Sequence, residues 1–192
     1  MMKYKLILGS QSPRRQQLLK DLGFSYTVRV ISTEETFPSA MPVSNVAEYL
    51  AVEKGNAHIS SLAADELVVT ADTTVVLDNE ILNKPQDLPD AARMLQKLSN
   101  RTHQVISGVC LSTKTSQQSF SDQTTVRFAK LTATEIDYYV NKFRPLDKAG
   151  GYAIQEWIGM IGITNIEGSY FTVMGLPVEK LYRALQTYQL ER

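Results

Sequence analysis

Apolar and polar positions alternate along the chain in a way that interleaves strands with helices. Residues 6–8 form a short apolar run that predicts a first strand. The run passes into Gly9-Ser10-Gln11-Ser12-Pro13-Arg14-Arg15 and then into Leu18-Leu19. This pattern predicts a strand, a tight hydroxyl-lined turn and a helix over 13–22, with Gly23 as its stop. Ser12 has the chemistry of an N-cap, and Pro13 suits the first helical position because the N–H it lacks would have been an orphan there. Residues 25–30 alternate and predict a second strand. Residues 32–42 read as an acidic, proline-containing loop. Ser44 is expected to cap a helix reaching about residue 62, along which Val46, Tyr49, Leu50, Glu53 and Ala57 follow helical spacing.

The middle of the chain reads more as strand. Residues 67–72 are an apolar run ending in an acid, the pattern of a central strand whose end reaches a site. Residues 73–77 continue extended, Asp78-Asn79 marks a tight turn, and Ile81-Leu82 returns. A helix is expected over 89–98, then strands over 105–111 and 124–128, with the polar stretch 112–121 in or around their connection. Thr132-Ala133-Thr134-Glu135 has the form of a capping box and opens a helix to about residue 143, which Pro145 ends. Residues 148–155 read as a glycine-containing loop entering a strand, 159–164 as a short apolar run, and 177–188 as a terminal helix. Strands alternate with helices but hairpins are present too, so the expected fold is α/β, with a mixed, curved central sheet and two lobes. Nothing in the pattern separates two domains, and residues 1–192 are expected to form one.

The composition fits a globular protein: 192 residues, 43% hydrophobic, 21% charged. A formal net charge of zero argues against bulk nucleic-acid binding, which shows a strong basic excess. The single cysteine, Cys110, forbids an intrachain disulfide and a cysteine-based zinc site, and its apolar surroundings predict a core residue. The first residues lack the long apolar segment of a signal peptide, and no window is apolar enough to span a membrane. The expected location is cytoplasmic.

The chemistry begins at the first turn. A helix N-terminus presents unpaired N–H groups and positive partial charge. Two guanidiniums and two hydroxyls added there make a receptor for phosphate oxygens. Arg14 and Arg15, being consecutive on a helix, do not share a face, so they have different tasks. A metal-using phosphate-anhydride hydrolase also needs carboxylates, further cations and a base-reading group. Asp72 ends its apolar run beside Thr73-Thr74, where a metal ligand or general base is useful. Glu34 and Glu35 lie in a loop, where neighbouring acids are usually only solvated. Magnesium needs one or two carboxylates plus phosphate oxygens, so Asp72 and one glutamate would suffice. Lys54 and Lys84 are further cations, though a helical lysine such as Lys54 is more often on a solvated face. Two isolated histidines, His58 and His103, read as structural. Gln155 follows a glycine pair and offers both donors and acceptors, as nucleobase edges require.

Six strings then occur in order: Ser10-Gln11-Ser12-Pro13-Arg14-Arg15; Ala71-Asp72-Thr73; Lys84-Pro85; Ser99-Asn100-Arg101-Thr102-His103; Asp147 through Gln155 (Asp-Lys-Ala-Gly-Gly-Tyr-Ala-Ile-Gln); and Gly168 through Pro177 (Gly-Ser-Tyr-Phe-Thr-Val-Met-Gly-Leu-Pro). Together they resemble the Maf family of nucleoside triphosphate pyrophosphatases, over essentially the whole chain. The Lys-Ala-Gly-x-Tyr-x-Ile-Gln string is similar to the branch acting on dTTP and UTP. The resemblance implies an inosine triphosphatase-like fold with a cleft between two lobes, a divalent cation (Mg²⁺ or Mn²⁺), a nucleoside triphosphate substrate and a homodimer. It implies that Asp72 is the proton-accepting aspartate and that Arg14, Thr73 and Gln155 are specificity positions. It further implies that Ser10, Arg15, Lys54 and Lys84 bind phosphate, and that Glu35 with Asp72 serves the metal site. Whether Asp72 acts as base or as ligand is open at this level. Gly9, Asn83, Glu156 and Thr172 depart from the family's pattern. Glu156 stands where glycine usually follows the glutamine, adding bulk and charge beside Gln155. The rival functions are a pyrophosphatase for modified or purine nucleotides, and a nucleotide-binding regulator of cell division without turnover.

Overall fold

A computed structural model describes residues 3–190. Strand β1, Lys5–Leu8, leads into helix α1, Pro13–Asp21, through the expected turn. Ser12 caps α1, its hydroxyl accepting from the Arg15 N–H at 3.5 Å. Strand β2 is only Thr27–Val28, shorter than the alternation suggested, and both residues are exposed. Helix α2, Val43–Ile59, has Pro42 and not Ser44 at its N-cap. The Ser44 hydroxyl is turned to the Asn45 side chain at 3.2 Å and caps nothing.

Strand β3, Glu66–Leu77, joins the two expected extended segments into one twelve-residue strand. Asp78 and Asn79 have φ values of 50° and 64°, the two positive values a type I′ hairpin turn demands, and β4, Glu80–Leu82, pairs back antiparallel. Helix α3, Leu88–Leu98, has an Asp87 cap that accepts from the Asp90 N–H at 2.7 Å. Strands β5, Thr102–Ser112, and β6, Gln117–Phe128, extend far into the polar stretch expected to connect them. Only residues 113–116 turn, closed by the Thr113 hydroxyl accepting from the Ser116 N–H at 2.9 Å. The polar residues are strand because they have partners: the Ser119 and Ser121 hydroxyls both donate to the Glu48 carboxylate on α2, at 2.7 and 2.9 Å.

Helix α4, Ala133–Phe143, has the capping box with both reciprocal bonds formed. The glycine-containing segment after it does not enter a strand. Ala149–Gly151 is a 3₁₀ turn, and α5, Trp157–Gly162, precedes β7, Ile163–Glu167. A short apolar run cannot be told apart as helix or strand by its pattern alone, and here it divides at Gly162. Helices α6, Tyr170–Met174, and α7, Val178–Leu185, complete the described chain.

The sheet order is β2-β1-β3-β5-β6-β7, with β4 on β3. Parallel pairs (β1 with β2 and β3) and antiparallel pairs (β3 with β4, β6 with β7) both occur, so the sheet is mixed as expected. The residues divide into two compact units. The first comprises the chain up to Asp72, Ser107–Asp122 and the chain from Gly175; the second comprises Thr73–Ile106 and Gln123–Met174. In the first unit α2 lies close on β5: a Cβ on Gly108 would come within 2.4 Å of the Ala47 backbone, so only glycine fits there. Cys110 is fully buried, as expected of a core residue. In the second unit one large core gathers Val75, Leu95, Leu98, Phe128, Tyr139 and Ile158. Among the described residues no helix is long and apolar enough to cross a membrane.

Candidate active site

In the first unit, four residues far apart in sequence converge on one charge cluster. Lys54, on α2, places its Nζ 2.5 Å from Asp72 Oδ1 and 2.9 Å from Glu35 Oε1. Asp72 is 9% exposed, brought there by the buried run that precedes it in β3. Glu35 comes from the acidic loop and is more open to water. Arg15, in the first turn of α1, feels the same carboxylates. Burial pulls its guanidinium below the ordinary value, the Asp72 charge pushes it back up, Arg14 lowers it and Glu35 raises it.

The α1 turn is built to hold Arg15 still. Its Nε donates to the Gly175 carbonyl at 2.9 Å, and one terminal nitrogen donates to the Ser10 hydroxyl at 3.4 Å. Ser10 is buried and also accepts from the Ser12 N–H at 3.2 Å, which shapes the turn around it. Arg14 is the next residue round the helix and is half-buried. The structure therefore brings Ser10, Arg15, Glu35, Lys54 and Asp72 into one polar cluster and separates Glu35 from Glu34. Lys54 is not the solvated lysine its helical position suggested. Gly175 contributes a backbone carbonyl, which has no signature in the sequence, presented where the chain turns with φ at +112°.

Glu35 and Asp72 are hard oxygen donors around a single ammonium. Among the described residues no group of three or more His, Cys, Asp or Glu side chains is placed to hold a metal. Two carboxylates with substrate phosphate oxygens nevertheless suit Mg²⁺ or Mn²⁺, which seldom have an all-protein cage. The donor set fits such a cation.

The second unit holds the other candidate positions. Thr73 follows Asp72 along β3 and so projects from the opposite face of the strand. Lys84 is exposed just beyond β4. The neighbouring Asn83 carbonyl accepts from the Gly150 N–H at 3.2 Å, which ties the 3₁₀ turn to the Lys84 strand end. Gly150 has φ at +69°, and a Cβ there would meet Val75 at 2.9–3.1 Å, so both backbone conformation and space require glycine. Gln155 is half-buried, and its Oε1 is fully buried with no hydrogen-bond partner in the structure.

The string before Gln155 is held by a contact the sequence did not disclose. His103 Nε2 lies 2.7 Å from the Tyr152 hydroxyl, both residues are buried, and Phe128 packs against both rings. Burial holds the His103 imidazole neutral, its pKa lowered to about 4. An unfolded chain would bind this proton near pH 6.5, so it is the unfolded state that gains stability as pH falls. His103 thus contributes fully above about pH 6.5, and about 3 kcal/mol of folding stability is expected to be lost as the pH drops through 6.5 toward 4. Urea unfolding at pH 7.5 and 4.5 checks this: His103→Gln should flatten that part of the pH dependence, and an unchanged slope would refute it.

Two solved structures share this architecture. The Ham1 protein of Staphylococcus aureus matches with a TM-score of 0.56 at 17% identity, covering 95% of this chain and 98% of that one. A HAM1 protein from Coxiella burnetii matches with a TM-score of 0.52 at 14% identity, covering 96% and 99%. The fold defines a Ham1-like α/β protein, in agreement with the inosine triphosphatase-like architecture the motifs implied. The sequence comparison is more specific. A family profile described as Maf-like protein matches residues 5–188. A dTTP/UTP pyrophosphatase of Phocaeicola vulgatus is 52% identical over 185 residues, 96% of either chain. One of Flavobacterium psychrophilum is 51% identical over 178 residues, covering 93% of this chain and 91% of the relative. The chain belongs to the Maf family.

Proposed function

We propose that the protein is a nucleoside triphosphate pyrophosphatase acting on dTTP and UTP. The observation that carries this reading is the Arg15–Asp72–Lys54–Glu35 cluster at the start of α1, in a chain about half identical to relatives of that name. Water attacks the α-phosphorus, the bond from that phosphorus to the bridging oxygen of the β-phosphate breaks, and the nucleoside monophosphate and pyrophosphate leave. A proton of the water passes to an acceptor in the site, and Asp72 is the carboxylate placed to receive it or to orient the water. Arg15 and Lys54 offset the charge of the triphosphate in surroundings drier than bulk water, where fixed positive groups act most strongly. Ser10 and the α1 N-terminus add donors, with Lys84 as a further cation. Glu35 and Asp72 would hold a divalent cation, which supplies neutralisation of the phosphate oxygens.

Arg14, Thr73 and Gln155 are assigned to base selection. The buried, unpaired Gln155 Oε1 supports this for Gln155, because an acceptor in that state suits a ligand with a ring N–H to donate, as thymine and uracil have. A panel of dTTP, UTP, CTP, dATP, GTP and modified triphosphates tests the reading. The expected result is monophosphate and pyrophosphate from dTTP and UTP at rates well above the others. Preference for a purine or a modified nucleotide would replace the substrate assignment, and nucleotide binding with no release would replace the enzyme.

A further inference from the structure

Glu156 directly follows Gln155, and the structure gives it two side-chain partners. Its Oε2 accepts from the Tyr139 hydroxyl at 2.5 Å, and its Oε1 lies 3.4 Å from Lys148 Nζ. Tyr139 is completely buried on α4, and its hydroxyl oxygen accepts from the Ala153 N–H at 3.2 Å. Lys148 is 8% exposed and meets Asp147 at 2.7 Å as well. The three side chains therefore fasten the start of the 147–156 segment at Lys148, its middle at Ala153 and its end at Glu156. The segment needs such fastening: its only regular structure is one 3₁₀ turn, and both Gly150 and Gly151 adopt positive φ. Gln155 sits between the last two anchors with its Oε1 buried and unpartnered, so nothing shown on that oxygen fixes its direction.

We infer that Tyr139, Lys148 and Glu156 are positioning residues that hold Gln155 in its base-reading orientation. Glu156 thereby sets how sharply this protein separates thymine and uracil nucleotides from cytosine nucleotides. The inference rests on the assignment of Gln155 to base selection. Glu156 acts chiefly as the acceptor for the Tyr139 hydroxyl, with Lys148 as its second partner, and it need not touch the substrate.

The test is steady-state kinetics of the full-length protein with dTTP, UTP and CTP for Glu156→Ala, Glu156→Gln, Tyr139→Phe and Gln155→Ala. Glu156→Ala and Tyr139→Phe should each raise KM for dTTP and UTP about tenfold with kcat within about twofold, and narrow the preference over CTP, the pattern of lost binding rather than lost chemistry. Their combination should cost less than the sum of the single changes, because both remove the Tyr139–Glu156 hydrogen bond while each also loses a contact of its own, Glu156 to Lys148 and Tyr139 to the Ala153 N–H. Glu156→Gln, which keeps an acceptor for the Tyr139 hydroxyl and suits the half-buried position, should restore most of the affinity. If Gln155→Ala alters the preference and neither Glu156→Ala nor Tyr139→Phe does, the positioning role is overturned while the base-reading role stands. If Gln155→Ala leaves the preference unchanged, the base-reading assignment itself fails. A fall in kcat with KM and preference unmoved also overturns the inference.

Discussion

Asp72→Asn is expected to lower kcat for dTTP by about 10²–10⁴-fold, the range associated with loss of a required acid–base group. The substitution nearly preserves volume and keeps one oxygen that can face the Lys54 ammonium, so its effect falls on charge and proton acceptance rather than on shape. The proposed role rests on its place: the strand carries Asp72 into a largely buried position where its carboxylate meets Lys54 and acts electrostatically on Arg15. Lys54 retains Glu35 as a partner in the variant. Folding should therefore survive, as circular dichroism and a urea midpoint would show. Turnover close to wild type in a variant that still binds Mg²⁺ and nucleotide would remove Asp72 from the chemistry.

Lys54→Met is expected to do damage of two kinds. The Asp72 and Glu35 carboxylates would face each other without the ammonium between them. The Asp72 side chain is 12% exposed and is expected to feel this strongly, whereas Glu35 at 43% is relieved by water. The stability cost is put at about 1–3 kcal/mol, below that of breaking a fully buried pair. The second effect is on the reaction: kcat/KM should fall by about 10²–10³, as when one preorganised charge-stabilising donor is removed. Lys54→Arg keeps the charge and should recover the urea midpoint more fully than the activity, because a planar fork does not replace a compact ammonium between two carboxylates. A Lys54→Met protein within about threefold of wild-type kcat/KM would mean that the bridge is only an ion pair.

The parts of this protein that were legible in the sequence are those whose cause is local. Ser12 and Pro13 set the start of α1, Asp78-Asn79 the hairpin, and Thr132 with Glu135 the capping box, each through bonds spanning three or four residues. Asp72 stands out in the sequence as an acid closing an apolar run, but β3 continues through it to Leu77, so it lies in mid-strand and not at a strand end. The failures have long-range causes. Lys54 looked like a solvated helical lysine because its partners lie 18 and 19 residues away. Choosing between Glu34 and Glu35 needed the path of a loop. The Gly175 contribution is a carbonyl, which carries no residue signature, and His103 meets Tyr152 from 49 residues away. The strands β5 and β6 outran their apolar centres because serines at 119 and 121 found a glutamate on another element, and pattern alone scores such serines as loop. The family motifs named positions across some of these gaps, and the structure supplied the contacts that bring Lys54 and Glu35 to Asp72.

Single turnover of dTTP in ¹⁸O-labelled water locates the bond that breaks. Attack at the α-phosphorus puts one labelled oxygen in dTMP and leaves pyrophosphate unlabelled. Label in pyrophosphate, or release of orthophosphate with dTDP, would contradict it.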